Sequence, residues 1–518
     1  MLQFLSPYFS VKMNQSEKKW LIVISLICLV YAALRFWNLT ASCLWFDEIF
    51  SLHAAAHDWQ NLFRFVAQDL IHPPLFYVLL KIWTAIGGES LAWLRFFPVF
   101  FSILAVAPFI LLCRELKLSP AVVALALTFF AVNGSLVKYA QEIRMYSLLM
   151  FFALVSGWLF ARFLNSGKGF LILLIANVLL VYTHYFGWFV VFSEVIAVAV
   201  LRREKLKQIL LMFGIAFLSF TPWIYALWRA AKINANVGQN IGWMTKPNLR
   251  AILQFVYDLF EPVYFQQSNA DAPAILFLTL PIILLGGGAF VFWLANLKNE
   301  SREDRQNLIL LSIFTATPLL SAFVASWISP YSIWGTRHLI IVFAPFAILL
   351  ATAFSKINVS KLRTSALGLI FLLFTGAFVL QARQPQPAFI WCAWENLALD
   401  LRAEREAKIY VFEDLIAYHF WFALRDADAD FEVVKINGIE GLNEDKAYFL
   451  PRGFEKVKTA GENDMTGERF FVAFRDKNWN ETKPPLKNLI EKGYKAGEPK
   501  VFEAQGLKAF LVEMRKAN

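Results

Sequence analysis

Apolar runs of nearly constant length, separated by short polar gaps, fill the chain from about residue 20 to residue 381. Runs such as 21–37, 91–113 and 275–294 approach the roughly 20 residues a helix needs to cross about 30 Å of hydrocarbon. The pattern predicts about eleven membrane spans. They lie near residues 20–37, 92–113, 120–137, 146–163, 169–183, 186–200, 209–228, 274–296, 308–328, 337–354 and 362–381. The segment 73–87 is apolar but short, opens on Pro73 and Pro74 and carries Lys81 at its middle. It reads as an interfacial or re-entrant helix, because a further span there would invert every later loop. The stretch 251–265 is amphipathic enough to lie on the membrane surface.

Beyond about residue 384 the pattern changes. Short β-prone runs at 408–412, 431–436, 447–450 and 469–475 alternate with amphipathic stretches at 417–424 and 486–494. Residues 500–504 and 507–514, around Gln505-Gly506, read as a hairpin. The expected architecture is therefore an all-α polytopic membrane domain over residues 1–381, with a first outer loop at 38–91 carrying interfacial helices. A small α/β domain follows over residues 382–518.

Composition agrees. The 518 residues are 58% hydrophobic and 17% charged, with a mean hydropathy of +0.52, which excludes an ordinary soluble protein. The net charge of +10 would suit nucleic acid, but its distribution points elsewhere. Every second gap is basic: Lys18 and Lys19; Arg114 and Lys117; Arg162 and Lys168; Arg202, Arg203, Lys205 and Lys207; Lys298, Arg302 and Arg305; Lys356, Lys361 and Arg363. This positive-inside pattern puts the N-terminus in the cytoplasm and, with an odd number of spans, the C-terminal domain outside. No nucleic-acid partner is expected, and the location is an inner or plasma membrane. Residues 1–14 are only moderately apolar and precede a full-length span, so a cleaved leader is not expected. The four cysteines form no metal or disulfide framework, although Cys43 and Cys392 fall on the same expected side and their pairing is left open.

Chemistry concentrates on the outer face. Trp45-Phe46-Asp47-Glu48 directly follows the first span, and Asp69 and His72 close the first outer loop. An acidic pair beside aromatic residues at a membrane surface suits a general base, although an interfacial anchor followed by solvated acids fits the local pattern as well. Lys138, Glu142, Arg144 and Tyr146 lie in another outer gap, and Arg337-His338 precedes the tenth span. Arginine's planar fork of donors matches phosphate, the alternative being a side chain that reaches lipid headgroups. Two cationic sites facing the compartment of Asp47 make an anionic lipid headgroup a sensible ligand. Tyr182 to Trp188 forms an aromatic turn containing His184, which on pattern alone is a packed residue rather than a metal ligand. Glu194, inside an apolar helix, is expected to be held by an interhelical hydrogen bond.

Asp47-Glu48, the run from His72 to Tyr77, Arg95-Phe96-Phe97-Pro98, Glu142 to Tyr146 and Arg337-His338 followed by Pro345 together resemble the GT-C glycosyltransferases. The likeness is to the branch of protein O-mannosyltransferases and lipid A aminoarabinose transferases. It covers about residues 20–381. It implies a polyprenyl-phosphate sugar donor, a protein, lipid or glycan acceptor, and inversion at the anomeric carbon. By that likeness Asp47 is the catalytic base, Arg144 and Arg337 hold phosphate, and Glu48 and His72 shape the site or hold a divalent ion such as Mg or Mn. Asp69, Lys138, Glu142, Tyr146, His184 and His338 would line the substrate site. Relatives carry tyrosine where this chain has His338, and the C-terminal segment shows no motif of the family. Two other classes compete with the transferase: a transporter or flippase of lipid-linked sugars, and a non-catalytic glycan-binding protein.

Overall fold

A computed structural model describes residues 15–232, 238–262, 273–383, 389–402, 404, 407–428, 430–439, 450–452 and 454–517. In chain order the helices begin with α1 (Gln15–Phe36), α2 (Phe46–Ala56), α3 (Trp59–Asp69), α4 (Leu75–Gly87), α5 (Leu91–Leu104), α6 (Val106–Glu115), α7 (Pro120–Val132) and α8 (Gly134–Tyr139). There follow α9 (Tyr146–Ser166), α10 (Phe170–Thr183), α11 (Gly187–Leu201), α12 (Leu206–Ala231), α13 (Leu249–Phe260), α14 (Pro273–Ala295), α15 (Arg302–Ile328), α16 (Phe343–Ser355) and α17 (Ser360–Ala382). A 3₁₀ turn, His338–Val342, leads into α16. The C-terminal segment contains α18 (Cys392–Leu401), α19 (Asp414–Leu424) and α20 (Leu486–Glu491). Its strands are β1 (Ala407–Val411), β2 (Phe431–Asn437), β3 (Lys458–Gly461), β4 (Arg469–Asp476), β5 (Tyr494–Ala496), β6 (Lys500–Ala504) and β7 (Leu507–Lys516).

Among the described residues eight helices are long and apolar enough to cross a membrane, and they coincide with eight of the expected spans. The shorter apolar helices α7, α10 and α11 fall on the other three, and α4 on the segment read as re-entrant. The protein is thus an all-α polytopic integral membrane protein with a small mixed-sheet domain at its C-terminus. The chain forms two compact units. One comprises residues Met1–Leu39, His72–Ala230 and Met244–Pro385; the other comprises Thr40–Ile71, Ala231–Trp243 and Gln386–Asn518. Most of the first outer loop, read from the sequence as part of the membrane domain, therefore belongs with the C-terminal sheet. The covalent reason is a disulfide between Cys43 and Cys392, a pairing left open by the spacing.

In the first unit the basic gaps share one end of the bundle. Lys205 Nζ donates to Phe163 O and Leu164 O at 2.8 Å, Asn165 Nδ2 to Glu115 O at 3.0 Å, and Asn307 Nδ2 to Leu116 O at 2.9 Å. Lys356 pairs with Glu300 at 2.5 Å and Asp304 at 2.9 Å, and Lys117 with Glu303 at 2.8 Å. These links bind together five of the gaps that the charge pattern assigned to one face. The buried Arg35 meets the C-terminal end of α7, where it donates to Ala131 O and, at 3.2 Å, to Phe130 O. Its guanidinium also lies 3.5 Å from the Tyr31 ring centroid. A cation at the end of a helix meets the unpaired carbonyls and the negative pole of the macrodipole. Glu194 accepts from Ser156 Oγ at 2.7 Å and Asn177 Nδ2 at 2.6 Å, the interhelical bonding expected for a carboxyl in a bundle interior. Helices α4 and α5 are joined by a reciprocal pair, Trp83 Nε1 to Trp93 O at 2.9 Å and Trp93 Nε1 to Trp83 O at 3.0 Å. The two indoles stack 4.4 Å apart.

In the second unit the sheet order is β3-β2-β1-β4-β7-β5, with β6 on β7. β1 runs parallel to β2 and β4, and β2 parallel to β3, whereas β7 is antiparallel to β4, β5 and β6. Alternation along the strands sorts the core. Ile409 and Val411 face a cluster with Trp394, Leu397, Ile416 and Phe420. Tyr410 and Phe412 face the opposite cluster with Phe470, Leu489 and Phe510. The expected hairpin forms with Ala504 opposite Leu507; Gln505 at φ 56° and Gly506 at φ 72° are the two left-handed residues that a two-residue turn requires. Of the expected strand 447–450, residues 447–449 lie outside those described. Helix α18 and strands β3 and β5 were not anticipated, being short and without clear periodicity.

Candidate functional site

The first unit gathers a buried cationic and imidazole group from four loops opposite the basic end. His72 precedes α4, Arg144 lies between α8 and α9, His184 between α10 and α11, and Arg337-His338 opens the turn into α16. The His72 and His184 rings lie 5.4 Å apart, those of His184 and His338 5.3 Å, and those of Tyr146 and His338 6.4 Å. Arg144 Nη2 is 3.4 Å from His72 Nε2. His72, Arg144, His184 and His338 are all buried.

Hydrogen bonds fix the tautomers. The backbone N–H of Phe186 donates to His184 Nδ1 at 3.1 Å, so the proton of a neutral His184 sits on Nε2. His338 Nδ1 faces Ile333 O at 3.3 Å and must donate to it, leaving Nε2 as an acceptor. Burial, followed by Arg144 and Arg337, holds His184 down to about 3. The same burial, with Arg144 next in size, keeps His72 well below the usual histidine range. Near neutral pH the group is two guanidinium ions with neutral imidazoles between them.

Carboxylates edge this group. Lys138 Nζ is 3.9 Å from Glu142. Asp258, on α13, accepts from Thr336 Oγ1 at 2.6 Å and Gln254 Nε2 at 2.8 Å. Burial first, then Asp258, pushes Glu261 up to about 8, partly offset by Lys138. Sequence reading gave Asp258, Glu261 and Thr336 no role. The amphipathic stretch around Asp258 was the available signal, but not what it faced.

Within the same unit, Met150, Ala153 and Gly157 of α9, Leu112 of α6, Val190 of α11, Leu310 and Phe314 of α15, and Ile341 and Pro345 beyond His338 line a partly open apolar cavity. Arginines close to the ends of helices that line an apolar cavity suit an amphiphile with an anionic head.

The second unit holds the acidic residues of the first loop. Asp47 and Glu48 lie in the first turn of α2, where negative charge meets the positive pole of the helix. Glu48 is buried and its Oε2 accepts from the Trp45 backbone N–H at 3.2 Å, a capping contact. Asp69 accepts from Asn240 Nδ2 at 2.5 Å, while Arg452 donates to Gln68 O at 2.6 Å and Asn240 Oδ1 at 2.8 Å. Asp69 thus tethers three chain segments. Among the described residues no group of three His, Cys, Asp or Glu side chains is placed to hold a metal ion. His72, packed against Arg144, is poor company for a cation.

The helical membrane bundle followed by a mixed-sheet domain is a GT-C-like fold, shared with solved structures of similar architecture. The chain overlays ArnT from Cupriavidus metallidurans in the apo state at a TM-score of 0.56 and 12% identity, covering 96% of this chain and 98% of that one. The same protein bound to undecaprenyl phosphate gives 0.53 at 13% identity, over 95% and 98%. A looser likeness, TM-score 0.48 at 16% identity over 77% of this chain, is to the Archaeoglobus fulgidus oligosaccharyltransferase in complex with Zn and sulfate. This chain covers 61% of that protein. No family model matches the sequence, and no curated protein does.

Proposed function

We propose that this protein is an inverting glycosyltransferase that moves a sugar from a polyprenyl-phosphate carrier to a hydroxyl acceptor on the extracytoplasmic face. The carrying observation is the buried Arg144 with the half-buried Arg337 and the His184 Nε2–H in the same group, in a unit whose helices also line an apolar cavity. An isoprenoid phosphate has the matching chemistry, and undecaprenyl phosphate is bound by the ArnT of like fold. The Cys43–Cys392 disulfide supports an oxidising, extracytoplasmic compartment for the second unit.

In this reading Asp47 takes the proton of the acceptor hydroxyl, whose oxygen bonds to the anomeric carbon. The bond from that carbon to the phosphate oxygen breaks, and the carrier leaves as a phosphate monoester. The departing group gains one negative charge, which Arg144 and Arg337 offset more strongly in the transition state than in the ground state. His184 donates to a phosphate oxygen without adding charge.

The test uses purified protein with polyprenyl-phosphate sugars and candidate acceptors. Asp47→Asn keeps the shape and removes the proton acceptor, so turnover should fall about 10²- to 10⁴-fold. Full activity in that variant refutes the base. Movement of lipid-linked sugar across reconstituted liposomes without transfer would refute the enzyme in favour of a flippase.

A further inference from the structure

Resting on the transferase reading, we propose that the C-terminal domain is a positioning element for the proposed base: Tyr418, His53 and the Cys43–Cys392 disulfide hold α2 at a fixed rotation within the second unit, and so orient Asp47. Three contacts within the second unit carry this. The disulfide anchors the chain four residues ahead of Asp47 to the start of α18. The ring of Phe46, adjacent to Asp47, packs on that of Tyr418 of α19 at 5.3 Å. Six residues beyond Asp47, His53 Nδ1 meets the Tyr418 hydroxyl at 2.8 Å.

The two ends of the tie are distinct. Phe46 and His53 lie about 10 Å apart along the helix axis, and both engage the same tyrosine. The His53 ring is also packed among Phe65 at 4.8 Å, Trp421 at 4.6 Å and Phe454 at 5.1 Å. Tyr418 itself is fully buried and stacks on Trp421 at 5.4 Å. Burial holds His53 down to about 3, so it meets Tyr418 as a neutral ring. A helix tied at its start and again most of two turns later cannot turn about its axis without breaking one tie. A reacting group displaced by about 1 Å can lose about 10²-fold in rate. On this view residues 386–518 are needed for the chemical step even if they never touch the donor.

The experiment compares the full-length wild type with Tyr418→Phe and with the double variant Cys43→Ser/Cys392→Ser, all in lipid nanodiscs. Amide hydrogen exchange is read across residues 44–56 and across the membrane bundle. Turnover is read as release of undecaprenyl phosphate from undecaprenyl phosphate mannose and undecaprenyl phosphate aminoarabinose, with an envelope extract as acceptor. In both variants exchange should rise over residues 44–56 with the bundle unchanged, and kcat should fall about 10- to 100-fold with KM within about twofold. Unaltered exchange over residues 44–56, or unaltered kcat despite raised exchange, overturns the positioning role. A rise in KM at constant kcat does so as well, because it assigns the domain to substrate binding. A wild type that releases no undecaprenyl phosphate sinks the transferase reading instead, and the exchange data still decide whether the C-terminal domain holds α2.

Discussion

At the scale of single residues, burial controls charge. The histidines of the first unit lie beside two arginines and stay neutral, so in the proposed reading a phosphate would meet positive charge from guanidinium and a directional donor from His184. Arg144→Lys should weaken binding of undecaprenyl phosphate about tenfold, since an ammonium cannot replace the planar fork; titration of the lipid into nanodiscs measures it. Glu261 has the opposite perturbation, held up to about 8 against 4.5 for an ordinary glutamate. The folded state therefore binds its proton more tightly than the unfolded chain does. Its contribution is fully present below about pH 4.5 and is lost as the pH rises toward 8. His184 acts in the other sense, its contribution being present above 6.5 and lost as the pH falls toward 3. Between pH 6.5 and 8 the His184 contribution is flat, so comparing thermal unfolding of wild type and Glu261→Gln across that window reports on Glu261. Across the window stability should drop by roughly 1 kcal/mol more in the wild type than in Glu261→Gln, allowing for solvent screening of a partly exposed group.

At the scale of elements, helix ends and helix pairs explain most of what holds the bundle. The stacked Trp83 and Trp93, each donating to the other's carbonyl, leave room for no side chain at Gly87: a Cβ there would lie 2.1 Å from the Trp93 indole. Gly87→Ala should separate α4 from α5 at a cost of about 1–3 kcal/mol, seen as a lower Tm in detergent, because a large indole cannot yield without losing both hydrogen bonds. Gly87→Ala with unchanged Tm would show that the tryptophan pair adds nothing. The element pattern itself was largely legible. Eleven apolar runs became eleven apolar helices or helix pairs because a chain in lipid must satisfy its own backbone, so length and hydropathy suffice. Helix α18 and strands β3 and β5 were not legible, since short elements in a soluble domain depend on partners distant in sequence.

At the scale of the whole molecule, the recurrence of a basic cluster in every second gap predicted which loops share an end. The contacts among residues 114–119, 163–165, 205, 300–307 and 356 gather them there. Reporters fused after Lys207, Lys298 and Lys361 should give cytoplasmic signals, and one after Asn518 an external signal. The reverse result would place the Cys43–Cys392 disulfide in a reducing compartment and remove the proposed site from the outer face. Division into units was the point at which sequence reading and structure parted. A loop lying between two spans was assigned to the membrane domain by adjacency, yet it packs with a sheet more than three hundred residues later.

The sequence alone determined that the chain crosses a membrane many times, which gaps lie together and that a soluble α/β domain follows, because these depend on local hydropathy and charge. It also singled out Arg144, His184, Arg337 and His338 as residues of the gaps that alternate with the basic ones. Only the tertiary structure decided that the three histidines form one buried group with the arginines, that Glu48 and Asp69 serve as cap and tether, and that Cys43 pairs with Cys392. Those outcomes turn on which side chains meet after helices pack, and no periodicity along the chain encodes that distance.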